Sequence, residues 1–367
     1  MEILMQLSQV HVSKQELQDA KLVEVEAGEL ADGAVRLAIE SFSVTANNVT
    51  YAVVGDNFGY WNFFPPRTNE VGKGIVPMWG HARVIESRHD EIVVGERVYG
   101  YLPMATHLDI WPGKVGAASF IDTAAHRQPM SPVYNQYTRL AADPEHDETR
   151  EDERMIYGPL FKTGFMIDYF MRSKDWFGAE EVVLTSASSK TAMGLASVAK
   201  ENSRKIKRIG LTSEGNADFV EETGLYDRVY TYAEIGNLSI RDCVSVDFAG
   251  NAEVLTKLHK HFSDTLKYSC LVGATHIEAR SSFHEDADLP GPKPEMFFAP
   301  DHFVAFFKEH GPEKGGAMIA EKWHAFLNAV EGTVEIERRE GLEAARATFV
   351  AMVGGEVDPS KGVVILP

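Results

Sequence analysis

The stretch from Val182 to Gly194 is where residue types and spacing point most directly to chemistry. An apolar run, Val182 to Leu184, enters a turn of small residues, and Thr191 to Glu201 has the Ala, Met and Leu spacing of a helix. A strand, turn and helix in this order present free amides and the positive end of the helix dipole to an anion, which is where a dinucleotide fold holds a pyrophosphate. The glycines expected in such a turn are missing. Ser186, Ser188, Ser189 and Lys190 occupy it, Thr191 follows, and Ala192 stands at the place of the last glycine. Two readings compete. A side chain where phosphate must approach closely would leave a dead site. Serine hydroxyls, however, donate hydrogen bonds to phosphate, and the Lys190 ammonium adds charge where a glycine-rich loop offers amides only. A second strand candidate, Ile206 to Thr212, carries Lys207 and Arg208 early and ends in Thr212, then Ser213, with no acid before Glu214. Hydroxyls without a carboxylate suit a ribose phosphate, so NADP is favoured over NAD.

These residues need a scaffold. From Pro159 onward strand candidates (181–185, 206–212, 227–230, 243–248, 269–273) alternate with helix candidates, which predicts a doubly wound, mostly parallel sheet that binds at the carboxyl ends of its strands. Asp247 follows apolar strand positions, where it could cap the next turn. The first ~140 residues read as short, closely spaced strands, the pattern of a partly closed β-barrel. Within them Tyr60, Trp61, Phe63 and Phe64 precede Pro65-Pro66, a cluster that is either a buried hinge or a loop lining a pocket. Ala141 to Arg154 is dense in charge and reads as a solvated connection at a domain boundary.

Composition narrows the function classes. Of 367 residues, 36 are Lys or Arg and 54 Asp or Glu, a formal charge of −18. That balance argues against nucleic acid and against an anionic membrane surface, while a small anionic ligand in a locally positive pocket remains compatible with it. No run approaches the ~20 apolar residues of a membrane span, and no basic region precedes an apolar stretch at the start. Two cysteines, Cys243 and Cys270, form no Cys-x-x-Cys pair, so a reduced, cytoplasmic protein is expected. A Gly-x-Ser-x-Gly elbow for a hydrolase is lacking.

Several blocks, in order along most of the chain, resemble the medium-chain dehydrogenase/reductase superfamily, in particular its zinc-free quinone-oxidoreductase-like branch. Thr45 to Asp56 resembles the early loop that contacts nicotinamide and substrate, with Thr50 where the aspartate would be. Val94 to Gly100 resembles the Gly-Asp-Arg-Val turn, Lys162-Thr163 the start of the helix before the dinucleotide domain, and Gly354 to Leu366 the closing strand. Val246-Asp247 with Gly250, and Leu271 to Gly273, match the fourth and fifth strands. More narrowly, the chain is similar to a family within that branch labelled only as a domain of unknown function.

The resemblance implies a GroES-like barrel domain (1–155 and 313–367) around a Rossmann-type dinucleotide-binding domain (156–312), with the site in the cleft between them. It implies NADPH-dependent reduction of a carbonyl, quinone or activated alkene, with cofactor contacts from Thr163, Gly273, Ala274 and Thr275 beside the serine turn. Tyr51, Asn47 and Asn48 become candidate donors to the substrate oxygen, and Tyr60, Trp61, Tyr134 and Tyr137 candidate substrate contacts. His81 mimics a zinc ligand of another branch in the wrong register and reads as structural; no metal is expected. The partners implied are a small-molecule substrate and a second copy of the chain, as a homodimer. The rival is a non-catalytic nucleotide sensor or scaffold that keeps the architecture.

Overall fold

Runs of β-branched and aromatic residues broken by glycines and acidic turns make the early chain a series of antiparallel strands. The computed structural model describes residues 5–68, 70–248, 250–272 and 289–367. Its first strands are β1 (Gln6–Ser13), β2 (Ala20–Glu26), β3 (Val35–Val44), β4 (Lys73–Gly74), β5 (Pro77–Ser87), β6 (Arg97–Pro103), β7 (His107–Ile110), β8 (Pro112–Gly113), β9 (Ser119–Asp122) and β10 (Gln136–Arg139). Helix α1 (Ala46–Val53) follows β3. Strands β2, β1 and β4 form one small sheet, while β5 lies between β3 and β6 in the large one.

Helix α2 (Glu151–Ser173) carries Pro159 in its interior. Proline has no N–H, so the carbonyl of Met155, four residues back, loses its helical donor. The Ser43 hydroxyl, from β3, donates to that carbonyl at 2.6 Å. The charge-dense segment ahead of α2 is not a solvated connection. Asp143 and Arg154 pair with side chains only 3% exposed, and Glu151 accepts two nitrogens of Arg97 at 2.7 and 2.8 Å and His146 Nε2 at 2.8 Å. Charges this dense fold inward where an acid meets a base.

Beyond α2 come β11 (Glu181–Leu184), α3 (Lys190–Asn202), β12 (Lys207–Thr212), α4 (Ala217–Glu222), β13 (Arg228–Thr231), β14 (Cys243–Asp247), α5 (Ala252–Phe262), β15 (Leu266–Leu271) and β16 (Glu295–Met296). These six strands pair in parallel in the order β13-β12-β11-β14-β15-β16. The winding therefore reverses between β11 and β14. Every residue of those two strands is buried, as in a sheet covered on both faces. Helices α2 and α3 approach closely because glycines meet: a Cβ on Gly164 would lie 2.5 Å from the Leu195 nitrogen, and one on Gly194 2.9 Å from Phe161 Cα.

Helices α6 (Ala299–His310) and α7 (Pro312–Ala329) follow, then β17 (Glu335–Glu340), α8 (Leu342–Val353) and β18 (Lys361–Leu366). Strand β18 pairs antiparallel with β3, so the large sheet runs β17-β18-β3-β5-β6-β10-β9-β8, with β7 on β3. The chain divides into two compact units, Met1–Ile156 with Ile336–Pro367, and Tyr157–Glu335. Helix α7 thus falls in the second unit, where the sequence reading ended that unit at residue 312. Its apolar face explains the difference: the rings of Trp323 and Phe326 pack on Phe161 at 5.3 and 5.0 Å. The two ends of the second unit lie together, with the Tyr157 and Thr333 hydroxyls 3.4 Å apart.

Candidate functional site

In the second unit the winding reverses between β11 and β14, and the carboxyl ends at such a reversal are where these sheets take ligands. Thr185 and Asp247 fix this point. The buried Thr185 hydroxyl donates to Asp247 Oδ1 and accepts the Phe248 amide at 3.1 Å, while Asp247 Oδ2 accepts the Gly250 amide at 3.0 Å. Asp247 therefore caps its turn and also clamps the neighbouring strand. The next residue, Ser186, has φ of 45°, in the left-handed region, where a residue with a Cβ is strained by about 1–2 kcal/mol. Its amide donates to Tyr232 Oη at 3.0 Å, and its Oγ lies 3.2 Å from the same oxygen. Burial pushes the Tyr232 phenol up, so it is a neutral hydroxyl.

The rest of the turn is equally tied. The Ala187 amide donates to the Leu211 carbonyl at 3.0 Å, and its carbonyl accepts the Tyr226 hydroxyl at 2.7 Å. Ser188 is buried and its Oγ accepts Asn216 Nδ2 at 3.2 Å. Ser189 caps α3, its Oγ accepting the Ala192 amide at 3.2 Å. First-turn amides of a helix have no intrahelical acceptor, and they carry the positive end of the dipole. Lys190 and Thr191, both partly exposed, occupy that turn. Thr212 ends β12 and is buried, whereas Ser213 is exposed beside it. The small-residue turn, its capped helix and its hydroxyls fit a diphosphate.

Thr163 does not join this group on the hydrogen bonds it makes; its hydroxyl donates back along α2 to the Pro159 carbonyl at 3.2 Å. Gly273, Ala274 and Thr275 lie outside the described residues. Tyr232, Tyr226 and Asn216 were not singled out by sequence reasoning. Asn216 reaches the turn from the β12–α4 connection, Tyr226 from the α4–β13 connection and Tyr232 from just beyond β13, and no local pattern announces them.

In the first unit, α1 places Tyr51 and its neighbours. Asn48 is a capping residue rather than a donor to substrate. Its Oδ1 accepts the Thr45 amide at 2.6 Å and its Nδ2 donates to the Pro77 carbonyl at 2.8 Å, so both ends of the amide are engaged. Asn47 is half-buried one helical turn before Tyr51. The Tyr51 hydroxyl accepts Trp79 Nε1 at 3.1 Å, and burial pushes the phenol far above its usual range. Tyr60 lies 4.6 Å from the Tyr51 ring and Tyr134 6.3 Å. The Tyr60 and Tyr134 hydroxyls are 2.9 Å apart.

Two predicted substrate contacts belong to the core instead. The Trp61 indole is packed between Gly55 and Gly74, where added Cβ atoms would meet it at 2.3 and 2.4 Å. Tyr137 is fully buried: it accepts Arg127 Nη1 at 2.9 Å and donates to the Tyr101 carbonyl at 2.7 Å. Arg127 is itself buried and paired with Asp122 at 2.8 Å, so Tyr137 completes the shell of a buried ion pair. Trp79 was missed; its indole N–H is the polar handle that reaches Tyr51.

A family model described as "Protein of unknown function (DUF2855)" matches residues 42–358. Comparison with curated proteins gives no match. Among solved structures, CurA from Vibrio vulnificus in complex with NADPH is similar with a TM-score of 0.57 and 14% identity, over 98% of this chain and 98% of that one. The quinone oxidoreductase from Coxiella burnetii gives 0.55 and 14%, over 99% and 100%. The yhdH oxidoreductase from Salmonella enterica in complex with NADP gives 0.52 and 14%, over 99% and 100%. At this identity the likeness establishes the fold alone, a GroES-like β domain with a Rossmann-type domain.

Proposed function

Since the chain belongs to the DUF2855 family and carries this architecture end to end, we propose that it is an NADPH-dependent oxidoreductase that reduces a carbonyl, quinone or activated alkene without zinc. The observation that carries the reading is the serine-capped start of α3 at the point where the sheet's winding reverses. Ser188, Ser189, Lys190 and Thr191 would hold the diphosphate there, with Asn216 orienting the Ser188 hydroxyl. Thr212 and Ser213 would meet the ribose phosphate, and Gly273, Ala274 and Thr275 the nicotinamide end. When bound, NADPH supplies the hydride. Tyr51, held neutral by burial, would donate a hydrogen bond to the substrate oxygen where negative charge develops. Trp79 orients that hydroxyl, and the rings of Tyr60 and Tyr134 suit a flat conjugated substrate. The three neighbours, whose descriptions name NADPH, NADP and a quinone oxidoreductase, support the same reading.

Zinc independence rests on the donor set of the early loop. Asn47, Asn48 and Thr50 offer no thiolate, imidazole or carboxylate, and Asn48 is engaged as a cap. A cytoplasmic homodimer completes the proposal. Fluorescence titration with NADPH tests binding, and oxidation of NADPH across a panel of quinones and enones tests turnover. Saturable binding with oxidation by at least one acceptor is expected; no binding by the folded protein would overturn the reading. One observation favours the rival: Tyr232 occupies the Ser186 amide, and Ser186 stands where a left-handed turn prefers glycine. Tight NADPH binding with no turnover would select a sensor or scaffold.

A further inference from the structure

Five buried polar atoms on three side chains of the first unit meet no hydrogen-bond partner among the described residues: Nδ1 and Nε2 of His81, Oη of Tyr99, and Nε and Nη1 of Arg154. They are gathered in one place. His81 and Tyr99 stand opposite each other in the register of β5 and β6, so their side chains leave the same face of the sheet. Their ring centroids are 5.1 Å apart, and the Arg154 guanidinium, from the start of α2, lies 4.1 Å over the Tyr99 ring. None of the three residues is more than 4% exposed. A buried donor or acceptor left unmet costs more than the hydrogen bond it would have made. Native proteins meet such groups with ordered water.

We propose that the recess among His81, Tyr99 and Arg154 is a built site for internal water. A neutral imidazole has one N–H and one acceptor, a phenol is both, and the two guanidinium nitrogens only donate. Water matches this mixed set because it donates and accepts. An anion matches Arg154 alone, whose charge Asp143 already meets. It would also face the carboxylates of Glu151, which acts on His81, and of Asp143 and Glu145, which act on Tyr99; Arg97 and His146 are the other charged or titratable neighbours. A cation is opposed by Arg154 itself. An internal water makes about three hydrogen bonds, so five unmet atoms call for about two molecules. Ser41, the β3 register partner of His81, lines a cavity of about 440 Å³ together with Arg97 and Glu151. The water also bears on the aromatic cluster, because Tyr99 stacks at 5.8 Å on Trp79, which orients Tyr51.

A crystal structure of the wild-type chain with ordered solvent decides the matter without any variant. Water within hydrogen-bond distance of His81 and of Arg154 Nε or Nη1 is expected. Oxygen-17 relaxation dispersion, which counts long-lived internal waters, gives a second readout. His81→Phe fills the ring volume without its nitrogens and should lose at least one long-lived water. Should that variant not fold, Tyr99→Phe, which deletes one hydroxyl, should shorten the water residence time. A dry recess, direct pairing of the three side chains with protein groups, or an anomalous peak there after a bromide soak would each overturn the proposal.

Discussion

Replacing Thr185 by valine keeps the side chain's shape and removes one oxygen that serves two partners. Asp247 loses a donor, and the Phe248 amide loses its acceptor. Both sites are buried, Asp247 at 1% exposure, so water cannot substitute without opening the strand ends. A hydrogen bond to a charged group contributes about 1.5–3 kcal/mol, and an orphaned buried amide costs about 1–3 kcal/mol. The expected loss is about 3–5 kcal/mol, a large share of the ~5–15 kcal/mol that holds an ordinary domain. Amide hydrogen exchange reads this within the second unit alone. Protection of the β11 and β14 amides should fall by roughly 10²–10⁴-fold. Thr185→Ser should restore most of it, since serine keeps the oxygen. NADPH affinity should fall in the valine variant and recover in the serine one, because Ser186 to Lys190 hang from this point. Protection unchanged in Thr185→Val would refute the claim that the Thr185–Asp247 clamp sets the crevice.

Four further outcomes are expected. Ser43→Ala should destabilise the first unit by about 1–2 kcal/mol by orphaning the Met155 carbonyl, and by less in a Pro159→Ala background that restores the helical donor; denaturant midpoints in a double-mutant cycle check this. Lys190→Ala should weaken NADPH binding by about 1–3 kcal/mol through loss of a charge-assisted contact, read by titration. Tyr51→Phe should lower turnover about 10²-fold with NADPH affinity unchanged, and equal turnover would remove Tyr51 from the donor role. Stability should fall as pH drops. Burial lowers the His81 pKa from 6.5 to about 3, so between those values the unfolded chain takes a proton that the folded one refuses. Glu151, which burial alone would raise, is instead lowered from 4.5 to about 2 by Arg97 and His146, and adds a second loss below pH 4.5. Unfolding midpoints of wild type and Glu151→Gln across this range check both the direction and the acidic limb.

The alternation of strands and helices from residue 181 onward was legible because each period is short and local, and the position of the serine turn followed from it. The chemistry of that turn was only half legible. Types and spacing located Ser188, Ser189 and Lys190, but the tyrosine on the Ser186 amide comes from 46 residues away. Asn48 was readable after all, since Thr45 with an amide side chain three residues later approximates a capping box. Trp61 and Tyr137 could not be separated from Tyr60 and Tyr134 by type. What separates them is the facing glycines in one case and a buried arginine in the other, both tertiary. The acidic stretch misled for the same reason: exposure follows from charge only when the opposing bases lie elsewhere.

The second unit interrupts the first between Ile156 and Ile336, and the first unit's large sheet takes β18 as the neighbour of β3. That strand is translated only after the whole insert. An unstructured insert would make joining β3 to β18 a slow, entropically costly long-range closure. Once the insert has folded, Tyr157 and Thr333 hold its two ends together. A folded insert with its ends joined shortens that closure, so the β domain is expected to assemble after the domain it surrounds.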